Sequence, residues 1–534
     1  MKFQAKAIHA GWPKPSETAR IALLEGQIHG LRVARKVQEI DPVEDLWPSD
    51  FRQALATSIE GGLSPLGIPD GVGQSLEALA QPGTLAVVTG QQPGFLCSPL
   101  YSLFKALQAC KLAKELTAEW GRTVIPLFWN HADDHDIAEV HHSYIQNRNL
   151  DLQKVSLAGL SSGRQPLSTI ALSEEEQGLP AIRALLQQNF GMYSHGEEAV
   201  DLFMPRDGET LPRAMTRVFL ELLGPHGLVP IEPDWIRKPL GNALAQVVES
   251  GAGPALQTNR DQAAIDPMEA ALLFLVGKEG RTAVRLRGDH YVVDGETTGV
   301  TPADLAKRVR ANPEEWSAGA LFRPLIQDLA LPSVAYIGGL GELAYHAQLV
   351  PAREAAKVPK TCFVPRVSAL IVDDECVASL EKGGVTVQQV LESEGQLKPN
   401  DDAPPTPQVF GDIREILKDT KSALSAQRGP LSEIDPSMDR GLMRATNQMT
   451  AGIEKLLATA ERIHKNKGGK KDRHLRRLNN RLVPRGLPQE RVLGPLEFYA
   501  RYGPDFFEAL YAVLPSMSAS PIALHTSHRN APTQ

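Results

Sequence analysis

From Thr84 the chain alternates short apolar runs with a glycine loop and an amphipathic stretch: "TLAVVT", "GQQPGFLCSP", "LYSLFKALQACKLAKELTAEW", then "TVIPLFW". The apolar runs have the length of buried strands. Leu100, Leu103, Phe104 and Leu107, spaced i, i+3, i+4 and i+7, predict a helix between them. Ser98 stands as its N-cap and Pro99 at its first helical position. The pattern predicts a βαβ unit with parallel strands. The "GQQPG" loop and the opening of "NHADDHD" then leave the sheet at the same carboxyl edge, where open α/β sheets bind ligands.

The rhythm returns with "SVAYI", the loop "GGLGE", a helix through Leu343, His346, Ala347 and Val350, and the apolar "CFVPRVSALIV". One sheet is therefore expected from two separated pieces, residues 1–150 and 316–375. Residues 151–315 read as inserted subdomains, with helices near "RAMTRVFLELLG" and "NALAQVVES" and a hairpin "TAVRLRGDHYVVDG" turning at Gly288 and Asp289. After Cys376, "LKPNDDAPPTPQ" marks a boundary. Leu442, Thr446, Met449, Ile453, Leu456, Ala460 and Ile463 then form an a/d stripe, which predicts a helical hairpin or dimer arm over 376–485. Residues 486–534, with "LEFYARYGPDFFEALY", are aromatic enough to return to a core.

At 534 residues the chain is long enough for more than one structural unit and an ample buried site. A net charge of -7 provides no global basic field, so a general nucleic-acid binder is not expected. The N-terminus lacks the apolar region of a signal peptide and no apolar run is long enough to cross a bilayer, so a cytoplasmic location without membrane contact is expected. The four cysteines form no C-x-x-C pair, and a disulfide framework is not expected.

The densest chemistry lies in "FWNHADDHDIAEVHH", residues 128 to 142. His131 and His135 lie one helical turn apart but lack the H-E-x-x-H order of zinc proteases, so a metal is not expected. Proton chemistry suits the cluster better. A histidine between Asp134 and Asp136, oriented by one of them, is expected to hold a raised pKa and to accept a proton from an attacking amine. The "GQQPG" and "GGLGE" loops miss both dinucleotide and P-loop fingerprints, yet each leads to a helix N-terminus that favours an anion. Cys97 reads as a buried, inert thiol. The basic run from His464 to Arg481 reads as a solvated helix face, or, doubled in a dimer, as a collector of polyphosphate. Two other classes remain open: a metal-dependent hydrolase using His131, His135 and the aspartates, and a nucleic-acid- or nucleotide-binding scaffold using the basic arm.

Four blocks, "TGQQPGFLCSPLYSLFKA", "PLFWNHADDHDIAEVHH", "LFRPLIQDLALPSVAYIGGLGELAYHAQL" and "GLPQERVLGPLEFYARYG", resemble the cysteine ligase family of bacillithiol biosynthesis, in order and over nearly the whole chain. The resemblance implies a Rossmann-like core, two connecting-peptide insertions and a C-terminal coiled coil used for homodimerisation. It implies a ligase that joins L-cysteine to glucosaminyl-malate through an amide, completing a low-molecular-weight thiol. Its site residues fall on Gln91, Gln92, Tyr101, Lys105, Asp133, Asp134, His135, Asp136, Arg323, Gln327, Tyr336, Glu342, Tyr345 and Gln348. His135, with Asp134 or Asp136, is the expected base, while Lys105 and Arg323 are expected to neutralise the malyl carboxylates or an activated intermediate. ATP is the obvious activator, but no phosphate motif demonstrates it and the energy source stays open; the resemblance implies an adenine nucleotide, ADP, near the coiled-coil arm, as a regulatory or structural ligand unless it is consumed. Relatives often carry Glu at Asp133, proline at Leu340, an aromatic at His346 and a hydroxyl residue at Cys97.

Overall fold

The structure is a computed structural model and describes residues 2–8, 30–149, 151–161, 163–257, 263–397, 407–466, 470–518 and 520–527. Its strands in chain order are β1 (Lys2–Ala7), β2 (Leu85–Gln91), β3 (Val124–Asn130), β4 (His142–Gln146), β5 (Leu152–Ser156), β6 (Val229–Ile231), β7 (Leu273–Gly277), β8 (Gly280–Arg287), β9 (His290–Val293), β10 (Trp316–Ala318), β11 (Ser333–Gly338), β12 (Cys362–Pro365), β13 (Ala369–Val372) and β14 (Ile522–Ser527). The chain divides into two compact units, Met1–Asp374 with Leu487–Gln534, and Glu375–Gly486.

In the first unit the apolar runs become strands buried on both faces, as a parallel sheet requires. The central sheet has the order β12-β11-β2-β3-β6 and is parallel throughout. Ala86 and Val88 pack into one core, while Leu85 and Val87 point the other way, against Ala109, Leu112, Ala113 and Leu116 of the helix Tyr101–Trp120. From β2 the chain crosses to β3 on one side, and from β11 to β12 on the other. The carboxyl ends of β2 and β11 therefore form the switch point at which such sheets open a crevice.

Several details depart from the sequence pattern. The helix begins at Tyr101, two residues later than Ser98 and Pro99 predict. A 3-10 turn at Phe95–Cys97 intervenes, and the Leu100 N–H is satisfied by the Leu493 carbonyl, 2.8 Å away, instead of by a side-chain cap. Gly94 closes this turn: a Cβ there would lie 1.8 Å from the Ser98 carbonyl oxygen. The stretch read as wholly inserted supplies β6 to the central sheet, a strand of three residues, too short to announce itself by periodicity. The apolar "CFVPRVSALIV" is two strands in different sheets, since β13 pairs with β14, which also pairs with β1. The predicted hairpin is present as β8 and β9, within a four-stranded sheet ordered β10-β7-β8-β9.

In the second unit the helices Gln408–Ala426 and Pro436–Asn466 form an antiparallel hairpin, with Arg414 paired to Glu461 near one end and Arg428 to Asp439, 2.6 Å apart, near the turn. Its apolar face drifts from the predicted stripe. Leu457 is buried and Leu456 is 62% exposed, because adjacent leucines satisfy either spacing after Ile453. In the basic run, residues 467–469 lie outside the described residues, as do the side chains of 462–472; the helix Lys470–Leu482 buries Leu475, Leu478 and Leu482. Among the described residues no helix is long and apolar enough to cross a membrane.

Candidate active site

The loops leaving β2, β3 and β11 meet at the switch point, and a cavity of about 460 Å³ opens beside them. Gln92, Asp133, Asp134, His135, Arg323 and Tyr345, all expected from the sequence, line it together with His131. The inserted segments form its other wall through Arg237, Phe274, Arg281 and Trp316.

Among the described residues, two of the three arginines on this cavity have no carboxylate within ion-pairing distance. Arg237 is neutralised by Asp133, at 2.5 Å. Arg281, in β8, donates only to neutral acceptors: Ser317 Oγ at 3.2 Å, the Ala318 carbonyl at 3.1 Å and His135 Nδ1 at 3.2 Å, while its guanidinium stacks 3.6 Å from the Phe274 ring. Arg323 donates to Gln327 Oε1 at 2.8 Å and to the Tyr345 hydroxyl at 3.1 Å. A buried cation without a counter-charge is costly. Burial pushes the Arg281 pKa down to about 10, with Asp133 and Asp134 opposing and Arg237 reinforcing the shift. The cavity thus presents net positive charge in a desolvated wall, which favours an anionic ligand.

The histidine does not behave as its neighbours predict. The pKa of His135 is lowered, by burial first and by Arg281 second, and the opposing pull of Asp134 and Asp136 is the weaker effect. Asp134 lies 3.9 Å from His135 Nδ1, too far for a hydrogen bond. Its carboxylate accepts instead from Gln92 Nε2 at 2.6 Å and from the backbone N–H groups of His135 and Asp136. Asp136 caps the short helix Ile137–Val140 through the Ala138 N–H. Neither aspartate orients the ring. Because a guanidinium can only donate, Nδ1 is the acceptor and the neutral ring carries its proton on Nε2.

Lys105 does not reach the cavity. It is fully buried, donating to Glu342 at 2.8 Å, to the Gly90 carbonyl at 2.5 Å and to Gln91 Oε1 at 3.3 Å. Burial lowers its pKa against the pull of Glu342. Burial also opposes ionisation of Glu342, but Lys105, the Gly339 N–H and the Tyr336 hydroxyl together hold its pKa below the ordinary carboxylate value. The two hydrogen bonds from Tyr336 and Gly339 are each 2.7 Å long. This brace ties β2 to β11 beneath the crevice. Tyr101 accepts from Gln91, and Gln348 is bonded to both backbone groups of Ile265. Gln327 bridges Arg323 and Asp328.

Neither glycine loop offers a free helix N-terminus. The first is occupied by the Leu493 carbonyl, and the second by Glu342, whose carboxylate sits on the Gly339 N–H as a cap. Among the described residues, no group of three or more histidine, cysteine or acidic side chains is placed to hold a metal. Burial also lowers the pKa of His131 well below its ordinary value, with Arg323 and Lys105 adding to the effect, so it is a neutral imidazole. Cys97 is buried and burial pushes its thiol pKa up, leaving an unreactive thiol.

Arg237 and Arg281 escape sequence reasoning because they stand 104 and 146 residues from the aspartate and histidine they touch. Arg281 also precedes the predicted hairpin, which begins at Thr282, by one residue, and it lies on the opposite side of β8 from the core residues Val284 and Leu286, so alternation gave no signal for it.

Comparison with known proteins adds the family. The model of the "Bacillithiol biosynthesis BshC, N-terminal Rossmann-like domain" matches residues 34–367, and that of the "C-terminal coiled-coil domain" matches 369–520. Relatives named "Putative cysteine ligase BshC" include one from Koribacter versatilis, 30% identical over 82% of this chain and 84% of its own, and one from Solibacter usitatus with the same identity and coverage. A third, from Salinibacter ruber, is 26% identical over 88% of this chain and 92% of its own.

Proposed function

The chain belongs to the BshC family of bacillithiol biosynthesis, a family of cysteine ligases with a Rossmann-like domain and a C-terminal coiled coil, and from that premise we propose that its cavity binds glucosaminyl-malate and joins the sugar amine to the carboxylate of L-cysteine as an amide. The observation that carries this reading is the pair of buried arginines, Arg281 and Arg323, facing one cavity without carboxylate partners. A malyl group brings two carboxylates, and guanidinium forks match them in charge and geometry. Arg281 thereby takes the part that the sequence assigned to Lys105.

Amide formation needs a deprotonated amine and an acyl carbon bearing a leaving group. The amine nitrogen bonds to the activated carbonyl carbon, the bond from that carbon to the activating group breaks, and the ammonium proton passes to a base. His135, on the wall of the cavity, is that base. An adenine nucleotide, if it is the energy source, would supply the activating group as a phosphoryl or adenylyl donor. The occupied helix N-termini beside the crevice leave no dipole site for its phosphates there. In the second unit a groove of about 580 Å³ between the hairpin helices is lined by Lys418, Lys421 and Glu454 and by Arg414, which is already paired with Glu461, so the two lysines are the cations left for a nucleotide bound near the coiled coil as a structural or regulatory ligand. The exposed apolar side chains Ile416, Ile434, Met438 and Leu456 of that unit support homodimerisation through the arm, which sedimentation of the full chain would measure.

The direct test mixes protein, cysteine, glucosaminyl-malate and ATP, omits each in turn, and follows the product by mass spectrometry. The amide product should require all four, and His135→Asn should abolish it while leaving the fold intact. A complete mixture that makes no thiol product, or a His135→Asn protein that works at the native rate, refutes the assignment.

A further inference from the structure

His135 Nδ1 is held in place by a group that prevents it from acting as a base. Arg281 donates to that nitrogen at 3.2 Å, so its lone pair is engaged, and the other ring nitrogen carries the proton. We propose that the acidic substrate itself releases the base: one of its carboxylates takes over Nη1 of Arg281, and the freed Nδ1 lone pair then accepts the proton from the substrate ammonium. The inference rests on the reading of the cavity as the acidic substrate's site.

Three observations support this handover. First, the acceptors that the described residues offer Arg281 are all uncharged, and a carboxylate adds the attraction of opposite charges to the hydrogen bond that an imidazole makes, so an incoming carboxylate displaces the imidazole. Second, the protein's own carboxylates are already engaged: Asp133 is held by Arg237, and Asp134 by Gln92 and two backbone amides. Third, the Ser317 and Ala318 bonds and the Phe274 ring keep the guanidinium in place while its third bond changes partner.

The electrostatics run the same way. In the free protein, a proton on His135 would sit against the Arg281 cation, with only Asp134 and Asp136 of its own loop to oppose it and the Phe274 edge beside the ring. A substrate carboxylate on Arg281 cancels that repulsion. In the proton transfer the ammonium N–H bond breaks and an Nδ1–H bond forms, and the resulting imidazolium faces a guanidinium already compensated. The base is therefore idle until the amine to be acylated is bound, which protects an activated cysteine from water.

The test uses full-length protein labelled with ¹⁵N-histidine, the His135 ring signals being assigned by their loss in His135→Asn. The ring is titrated alone, with L-malate and with glucosaminyl-malate, and binding is measured in parallel by calorimetry. The expected result is a free ring with Nδ1 unprotonated, and a titration midpoint that rises by about one pH unit or more on saturation, the size of effect a neighbouring charge exerts. In Arg281→Ala, or in the uncharged and bulkier Arg281→Met should the alanine protein not fold, the midpoint should already be high and the ligand-induced rise should shrink or vanish. Saturable binding that leaves the His135 midpoint unchanged overturns the handover but not the cavity reading. Failure of both ligands to bind overturns both.

Discussion

Lys105→Met removes one half of the ion pair that ties β2 to β11. The Nζ to Glu342 distance is 2.8 Å and the lysine has no exposed surface, while the Glu342 side chain is 21% exposed. At an effective dielectric constant of about 20, the attraction over that distance is roughly 6 kcal/mol. Desolvation of both groups offsets part of it, and breaking such a pair by deleting one partner typically costs about 3–5 kcal/mol. Glu342 keeps its bonds from Tyr336 and Gly339 in the variant, so the lower end, about 3 kcal/mol, is expected. Glu342→Gln leaves a fully buried ammonium beside a neutral amide and should cost at least as much. The double variant should cost clearly less than the sum, because neither charge is left stranded. Urea unfolding followed by tryptophan fluorescence suits the measurement, since all six tryptophans precede residue 375 and report on the first unit alone. Strict additivity, or a single-variant cost below about 1 kcal/mol, would show that the pair is no brace.

Acid should weaken the first unit through its buried imidazoles. His346, stacked 4.8 Å from the Tyr336 ring, has a pKa lowered by burial and then by Arg353, Arg323 and Lys105. The unfolded chain takes up this proton near pH 6.5 and the folded chain does not, so the contribution is complete above that pH and declines below it, by roughly 1.4 kcal/mol per pH unit. Burial pushes Glu232 up to about 7 and Asp234 up to about 6, which works in the opposite direction over the same window. The readout is therefore a difference: between pH 6.5 and 5.5, His346→Phe should lose less stability than the native chain, and parallel curves would contradict the assignment. In the second unit, Leu457→Ala should destabilise the hairpin by about 2–5 kcal/mol and Leu456→Ala by under about 0.5 kcal/mol. Hydrogen exchange in the helix Gln408–Ala426 measures both, and equal effects would reject the observed packing.

Periodicity and turn chemistry in the chain already determined a great deal. Two apolar runs flanking an amphipathic helix specify parallel strands whose following loops share an edge, because a right-handed crossover leaves no other arrangement. The gathering of Gln92, Asp133, Asp134 and His135 at one cavity follows from that edge, whereas Arg323 arrives on the helix Arg323–Ala330 that precedes β11. The blocks around these residues carry the family signal as well. Partners were decided only in three dimensions. The "VSALIV" half of one apolar run left the central sheet for β14, more than 150 residues away, and three residues from the inserted stretch joined it. Lys105, on a helix next to the crevice, was claimed by Glu342 before any substrate could reach it, while Arg281, on a hairpin from the insert, became the donor to His135. The physical reason is that a repeat of two or 3.6 residues encodes which face of an element is buried, but a charge's role depends on what packs against that face. For Lys105 and Arg281 that neighbour comes from far along the chain, and its identity is set by the packing of whole elements.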